Sequence, residues 1–327
     1  MKKRIIGLLY SGELDKDLYL KYQNACNKLP DQIVLLPITK ENLKKRSFAL
    51  PQGIYNLCYN NTDKIIKEVE KIVGKNRVFN RITKFDKWEI YNLLLPTKEI
   101  LLPKTLEFTS ANLKYFSEIE DKIILKPKIG SKGEGVILLE KKEDGYYLID
   151  KAFNNPVKFS HIDEIIHYIS ILTKGYLIQK FVENKRLGTN FFDIRIYVQK
   201  NIWGRWQITG GISRIAVNKS FITNIVKKVV DYTIPLQELY SERVVFEIIE
   251  NLTYTSLQVA NILEGKFGLL GELAVDYSLG LNDKIYIIEV NGKPMKTLAK
   301  RLQSPELYNN LYLRPMEYAY YLTKTKL

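Results

Sequence analysis

Two segments late in the chain, GELAVDYS (271–278) and IYIIEVNGKP (285–294), run from apolar residues into oxygen-bearing side chains: Asp276 on the first, Glu289 and Asn291 on the second. Glu289 and Asn291 stand two apart, so a strand turns both to one face. The turn-rich link LGLND (279–283) makes the two segments arms of one hairpin, which brings Asp276 to the same rim. Two carboxylates and an amide oxygen are hard donors. Completed by phosphate oxygens and water, they suit Mg²⁺. The competing reading is a set of solvated charges where two strands reach the surface, since an unpaired carboxylate is costly to bury.

A second constellation is ILKPKIGSKGEGV (124–136), in which Gly130, Gly133 and Gly135 lie in a loop between two strand-like runs, with Lys126 before it and Lys128 and Lys132 inside it. Glycines let backbone N–H groups approach phosphates, and lysine supplies a point charge. The glycine spacing is not that of a dinucleotide fingerprint, a strand follows where that motif needs a helix, and no GK[ST] is present. The loop therefore reads as a hairpin flap, over phosphates or simply as a glycine turn. YLIQKFV (176–182) is an extended run whose backbone can pair with an adenine edge, or a plain buried strand. In FDIRIYV, Asp193 and Arg195 share a face of an otherwise apolar strand, as a structural ion pair or as part of a site. Arg195 and Arg214 are suited to neutralising a transferring phosphoryl group. His161 and His167 fall six apart on an amphipathic helix and read as structural. No GxSxG elbow occurs, and neither Cys26 nor Cys58 has a partner for nucleophilic work.

The elements that must carry these residues follow from periodicity. Apolar runs at 4–10, 32–37 and 53–59, with helical stretches at 14–29 and 61–73 between them, predict a small α/β unit. FDKWEIYNLLL (85–95) predicts a helix with Trp88, Tyr91, Leu94 and Leu95 on one side. Strands are expected at 122–127, 135–140, 146–150 and 175–182. A helix is expected at 161–172, and an antiparallel pair of strands at 191–199 and 205–211. Helices are expected over 240–265 and 305–323. Short turns between most successive strands point to antiparallel α+β sheets in the body.

The chain has 327 residues, 46% hydrophobic and 26% charged, which leaves room for about two domains and excludes a disordered chain. No apolar run reaches the roughly 20 residues that span a bilayer. The basic, then apolar start MKKRIIGLLYSG reads as a first strand, because its apolar stretch is too short for a signal peptide. Two cysteines make no disulfide framework and fit a reducing cytoplasm. The net charge of +14 raises a polyanion partner. The lysines are scattered and no nucleic-acid module is recognisable, so a nucleic-acid partner is disfavoured.

In order, FDKW, LPKT, ILKPKIGSKGEGV, YLIQKFV, FDIRIYVQ, WQITGGISR, FITN, GELAVDYS and IYIIEVNGKP resemble an ATP-grasp protein of the YheC/YheD-like group, whose members are named endospore coat-associated proteins. The likeness covers roughly 80–322. It implies an α+β ATP-grasp fold, two α+β subdomains holding ATP between them, with residues 81–327 as that domain, a lid at about 104–178 and a small α/β domain at 1–80. It implies a ligase that uses ATP and Mg²⁺ to turn a carboxylate into an acyl phosphate, which an amine then attacks with release of ADP. Its partners would be small-molecule or peptide carboxylates and amines, in the cytoplasm or in association with the spore. The coat-associated members of the group imply an alternative: a non-catalytic nucleotide-binding coat or assembly protein. Carried over by position, Lys87 and Lys126 would contact phosphates, and the loop with Gly130, Ser131, Gly133 and Gly135 would cover them. Gln179, Lys180 and Val182 would line the adenine, with Glu183 at the ribose. Asp276, Glu289 and Asn291 would hold Mg²⁺, while Lys126, Arg195 and Arg214 would act on the γ-phosphate or the acceptor carboxylate. One departure is FITNIVKKVV (221–230), where relatives often carry a glycine pair after the TN. That segment lies toward the acceptor.

Overall fold

The computed structural model describes residues 3–13, 15–39, 42, 49–59, 62–131, 133–150, 156–169, 175–217, 226–302 and 304–325. Three sheets organise them. The first is parallel, in the order β2 (Gln32–Ile38), β1 (Lys3–Leu9), β3 (Gly53–Asn56), β4 (Val78–Phe79). Helices α1 (Lys16–Cys26) and α2 (Thr62–Val73) connect its strands, as parallel neighbours require. The basic-apolar start of the chain is its strand β1, with Ile6, Leu8 and Leu9 in the core.

The second sheet is antiparallel, in the order β5 (Thr105–Glu107), β10 (Tyr176–Lys180), β6 (Lys122–Pro127), β7 (Ile137–Lys142), β8 (Gly145–Asp150), β9 (Val157–Phe159). Alternation decides its faces. Ile123, Leu125 and Ile178 pack with α4 (Ser110–Ile119) and α5 (Ile162–Ile169). Ile124, Lys126 and Gln179 therefore point the other way.

The third sheet runs β14 (Val226–Asp231), β13 (Trp206–Ala216), β12 (Asn190–Lys200), β15 (Glu272–Leu279), β16 (Ile285–Asn291), with the short β11 (Arg186–Leu187) also on β12. On β12, Phe192, Ile194, Ile196 and Val198 pack against the long helix α7 (Glu242–Phe267), which follows the short α6 (Thr233–Leu239). The alternate residues Asp193, Arg195, Tyr197 and Gln199 are equally buried, on the opposite face. Helix α3 (Lys87–Leu94) joins the α7 side through Ile90 and Leu94. The spacing grouped Leu95 with that face, but it is 55% exposed: the helix ends at Leu94, and the chain turns away before Leu95 can pack. The short elements β4, β5, β9, β11 and α6 carry too few residues to show a period, and the ten-residue α4 and six-residue β14 are elements that the sequence reading did not place.

The final helix, α8 (Pro305–Lys324), packs on β1, β3 and α1 and also on β12 and β13, so the end of the chain seats the parallel sheet against the third one. Beneath it lies a buried polar cluster. The Glu272 carboxylate, fully buried, accepts from Lys296 Nζ at 2.7 Å, Gln199 Nε2 at 2.8 Å and the Tyr55 hydroxyl. Lys296 also donates to the Tyr22 hydroxyl at 3.1 Å. Burial lowers the Lys296 pKa, with Glu272 opposing that shift. No helix among the described residues is long and apolar enough to cross a membrane.

Removing one member of a buried pair leaves a charge without compensation. Lys296→Met is therefore expected to destabilise the fold by about 3–5 kcal/mol in urea unfolding, and Glu272→Gln added to it to restore most of that loss.

Candidate active site

The charged residues of the third sheet face the polar face of the second across a cleft with about 1020 Å³ of empty space, including the part open to solvent. Lys87, Lys126, Gly130, Ser131, Gly133, Gln179, Lys180, Val182, Arg214, Asp276 and Glu289 all line it. Lys126 and Glu289, 163 positions apart, thus share one cavity, as do Lys87 and the glycine loop.

The floor is a ladder of ion pairs set by strand register. Asp193 lies opposite Arg214, and Arg195 opposite Asp276. Arg195 grips Asp276 with two hydrogen bonds of 2.6 Å, Nε to Oδ1 and Nη2 to Oδ2. Arg214 Nε donates to Asp193 Oδ1 at 2.9 Å, its Nη2 donates to Asp193 Oδ2, and the same Nη2 reaches Asp276 Oδ2 at 3.0 Å. Asp193 and Arg195 share a face, as their spacing requires, yet each pairs with a neighbouring strand. Burial would raise the Asp276 pKa, but the two guanidinium groups outweigh it and hold the carboxyl below its ordinary value. Asp276 is 4% exposed, so it is no solvated strand end.

Glu289 reaches this face through a bulge. Asp276 pairs with Glu289, but Tyr277 pairs with Ile287, leaving Ile288 as an extra residue. Ile285 and Ile287 pack on the α7 side; without the bulge, strict alternation would send Glu289 and Asn291 after them. The bulge turns both toward the cleft side and leaves Val290 in the core. The Ile288 carbonyl accepts from Lys126 Nζ at 3.2 Å.

The roof and floor meet at two lysines. Lys87 opens α3, whose first turn is capped by Asp86 accepting from Trp88 and Glu89 N–H groups. Its Nζ donates to the Gly130 carbonyl at 3.0 Å and sits 3.2 Å from Glu289 Oε1. Lys126 Nζ donates to Gln179 Oε1 at 2.8 Å. Burial drives the Lys126 pKa down to about 8, with Glu289 opposing and Lys87 reinforcing. In the flap, Gly135 has φ +69°, and a Cβ there would come within 2.5 Å of the Tyr176 hydroxyl, so glycine lets the loop settle on Tyr176.

Other expected residues sit beside the cleft without lining it. Arg195, Asn291, Gly135 and Glu183 are not among its lining residues, and the Glu183 carboxylate accepts from Lys122 Nζ at 2.6 Å. Lys180 lines the cleft while its ammonium turns to Glu120 at 2.9 Å. Lys132 and residues 221–224 of FITN lie outside the described residues. Sequence reasoning did not single out Ile124, Ser278 and Phe191. Each stands two residues from Lys126, Asp276 or Asp193 on the same strand, so period two from those positions would have found them.

Magnesium suits this donor set. Asn291 Nδ2 leans toward Asp276 Oδ2 at 3.4 Å, which leaves its oxygen for another partner. Asp276 already accepts three guanidinium contacts, so Glu289, half-buried and paired among the described residues with Lys87 alone, has the most free capacity. Among the described residues no three His, Cys, Asp or Glu side chains converge, so the oxygen donors here are two carboxylates and one amide.

The ladder and Glu289 should respond differently to neutralisation. Asp276→Asn strips two buried guanidinium groups of a shared counter-charge and is expected to cost about 3–5 kcal/mol in urea unfolding. Glu289→Gln should change stability by no more than about 1 kcal/mol.

The YheC/D like ATP-grasp family model matches residues 75–322. Endospore coat-associated protein YheC of Bacillus subtilis (strain 168) is 25% identical over 293 residues, 84% of this chain and 78% of that protein. Endospore coat-associated protein YheD of the same organism is 25% identical over 307 residues, 86% of this chain but 65% of its own length. Among solved structures, D-alanine–D-alanine ligase from Bacillus anthracis superposes with a TM-score of 0.61 at 14% identity, covering 98% of this chain and 97% of the ligase. That likeness establishes the ATP-grasp fold, and with the family match the α+β expectation holds. The chain belongs to the YheC/D like ATP-grasp family.

Proposed function

We propose that the protein is an ATP- and Mg²⁺-dependent ligase that joins a carboxylate to an amine and releases ADP. The observation that carries this reading is the meeting of Lys87, Lys126 and the 130–135 loop with Asp276 and Glu289 around one cleft. In it, Lys87 and Lys126 offset phosphate charge, and the flap excludes water. Glu289, with Asn291 and Asp276, would hold Mg²⁺, which neutralises phosphate oxygens when bound. The carboxylate oxygen attacks the γ-phosphorus, the bond to the β-phosphate oxygen breaks, and ADP leaves. The amine nitrogen then adds to the acyl carbon, phosphate departs, and the nitrogen loses a proton. Asp276 keeps Arg195 and Arg214 in place, and Arg214 lines the cleft where it can face the transferring group. The domain limits expected from the sequence, 1–80 and 81–327 with a lid at about 104–178, are part of this proposal.

A second reading is a nucleotide-binding coat or assembly protein without turnover. It is favoured by the names of the two relatives, both endospore coat-associated proteins, and by both arginines being occupied with carboxylates. ATP binding without ADP release, over a broad screen of carboxylates and amines with ATP and Mg²⁺, would select it. ADP release that depends on both substrates would select the ligase, and no nucleotide binding at millimolar concentration would remove both.

For the ligase, Glu289→Gln is expected to lower kcat by about 100-fold with the fold kept, measured as ADP release beside a thermal melt. Lys126 is charged below a pH of about 8 and neutral above it. Nucleotide affinity should therefore fall as pH rises through 8, and calorimetry on Lys126→Met should show that slope flattened.

A further inference from the structure

We propose that Asn80 is a positioning residue for the metal donors: its side chain clamps the start of β15 to the residue that follows Asn291, and so sets where Glu289 and Asn291 stand against Lys87. The inference rests on the metal reading of this cleft and assigns what holds the donor set in place.

Asn80 directly follows β4 and is fully buried. Its φ is +54°, in the left-handed region that asparagine enters more readily than most residues. Every polar group that it carries has a partner. Its N–H donates to the Leu269 carbonyl at 2.9 Å, and its own carbonyl accepts from Asn56 Nδ2 at 2.9 Å. On the side chain, Oδ1 accepts from the Gly271 N–H at 2.7 Å and the Glu272 N–H at 3.2 Å. Nδ2 donates to the Glu272 carbonyl at 3.2 Å and the Gly292 carbonyl at 3.0 Å. Two donated and two accepted bonds fill the capacity of a carboxamide. Glycine would supply the backbone angle without the bonds, and aspartate the angle and the acceptors without the donors.

The place of the clamp is what ties it to the site. Regular pairing of β16 ends where Asn291 meets Ala274. Gly292 is the first residue beyond the ladder, and Asn80 takes its carbonyl. The chain from Asn80 then runs past the same residue: a Cβ at Gly292 would come to 3.0 Å from the Ile82 carbonyl oxygen and from the Phe85 ring. Two residues after Phe85, Lys87 Nζ sits 3.2 Å from Glu289 Oε1. The segment 80–87 therefore meets β16 on both sides of Asn291, at Gly292 through Asn80 and at Glu289 through Lys87. Asn80 itself does not line the cleft, so it acts through the backbone that carries the donors. Donor sets have to be held to about 0.5 Å, and a carbonyl just outside the ladder has no strand partner to hold it.

The test is calorimetry of ADP binding with Mg²⁺ and with EDTA, read as the ratio of the two affinities on one protein. In the wild-type chain Mg²⁺ is expected to tighten ADP about tenfold or more. Asn80→Asp keeps acceptors for the Gly271 and Glu272 N–H groups and loses the bond to the Gly292 carbonyl. It should cut the ratio to about twofold or less, with the affinity in EDTA kept within about twofold. Gly292→Ala disturbs the same junction from the other side with the amide intact, and should lower the ratio severalfold without unfolding the chain. Asn56→Ala releases Asn80 from the parallel sheet but leaves its hold on the hairpin. It should lower the melting temperature and keep the wild-type ratio. A wild-type ratio in folded Asn80→Asp or in Gly292→Ala would overturn the proposal, as would an equal loss of affinity with Mg²⁺ and with EDTA, the mark of a purely structural role. A wild-type chain that binds ADP equally well with and without Mg²⁺ would instead overturn the metal reading and this inference with it.

Discussion

One carboxylate shared by two guanidinium groups governs the floor of the cleft. Asp276 lies on the middle strands of the third sheet, where water cannot solvate it, and Arg195 and Arg214 supply the compensation. With Asp193 on the far side of Arg214, the four charges sum to zero. The consequence reaches the rest of the cleft: the floor carries no net charge, and Lys87 at the start of α3 and Lys126 on the second sheet bring positive charge to the same space from different parts of the chain. Two ladder rungs in the low-dielectric interior also fix strand register, since a slip of one residue would send every charge into the apolar α7 face.

The bulge at Ile288 performs two tasks with one extra residue. It changes which residues of β16 face the cleft, so that Ile285 and Ile287 stay in the core while Glu289 joins Asp276. It also leaves a backbone carbonyl out of regular pairing, and that carbonyl receives Lys126. The second and third sheets are thereby tied through Lys126 to Ile288 and through Lys87 to both Gly130 and Glu289. These contacts are polar and cross a solvent-connected cleft, in contrast to the apolar contacts that seat each sheet on its own helices. The weaker link is the one a ligand must work against.

On β15 the same alternation serves two clusters. Glu272 and Asp276 lie on one face, roughly 13 Å apart along the strand. The first is compensated by Lys296, Gln199 and Tyr55 under α8, the second by the arginines of the cleft. Lys296 belongs to the segment that leaves β16 just after Asn291, so its bond to Glu272 anchors the chain that follows the Glu289 and Asn291 pair. The parallel sheet is attached through this cluster by Tyr22 and Tyr55.

Local pattern was enough to read the long elements, because a period of two or of 3.6 shows over eight or more residues: β12, β15 and α7 lie within two residues of where the pattern puts them, whereas β13 runs on to Ala216, past the expected 205–211. It was also enough to pick out Lys87, Lys126, the glycine loop, Asp276 and Glu289, which the fold brings to one cleft. Leu95 was misread because a helix end is set by where the chain turns, which no periodicity records. The partners of Arg195 and Arg214, the turn of Glu289 away from its own strand's alternation, and the amide orientation of Gln179 were decided only by tertiary structure. Each depends on register between strands distant in the chain, and register is fixed by the joint burial of side chains that a local stretch of sequence cannot weigh.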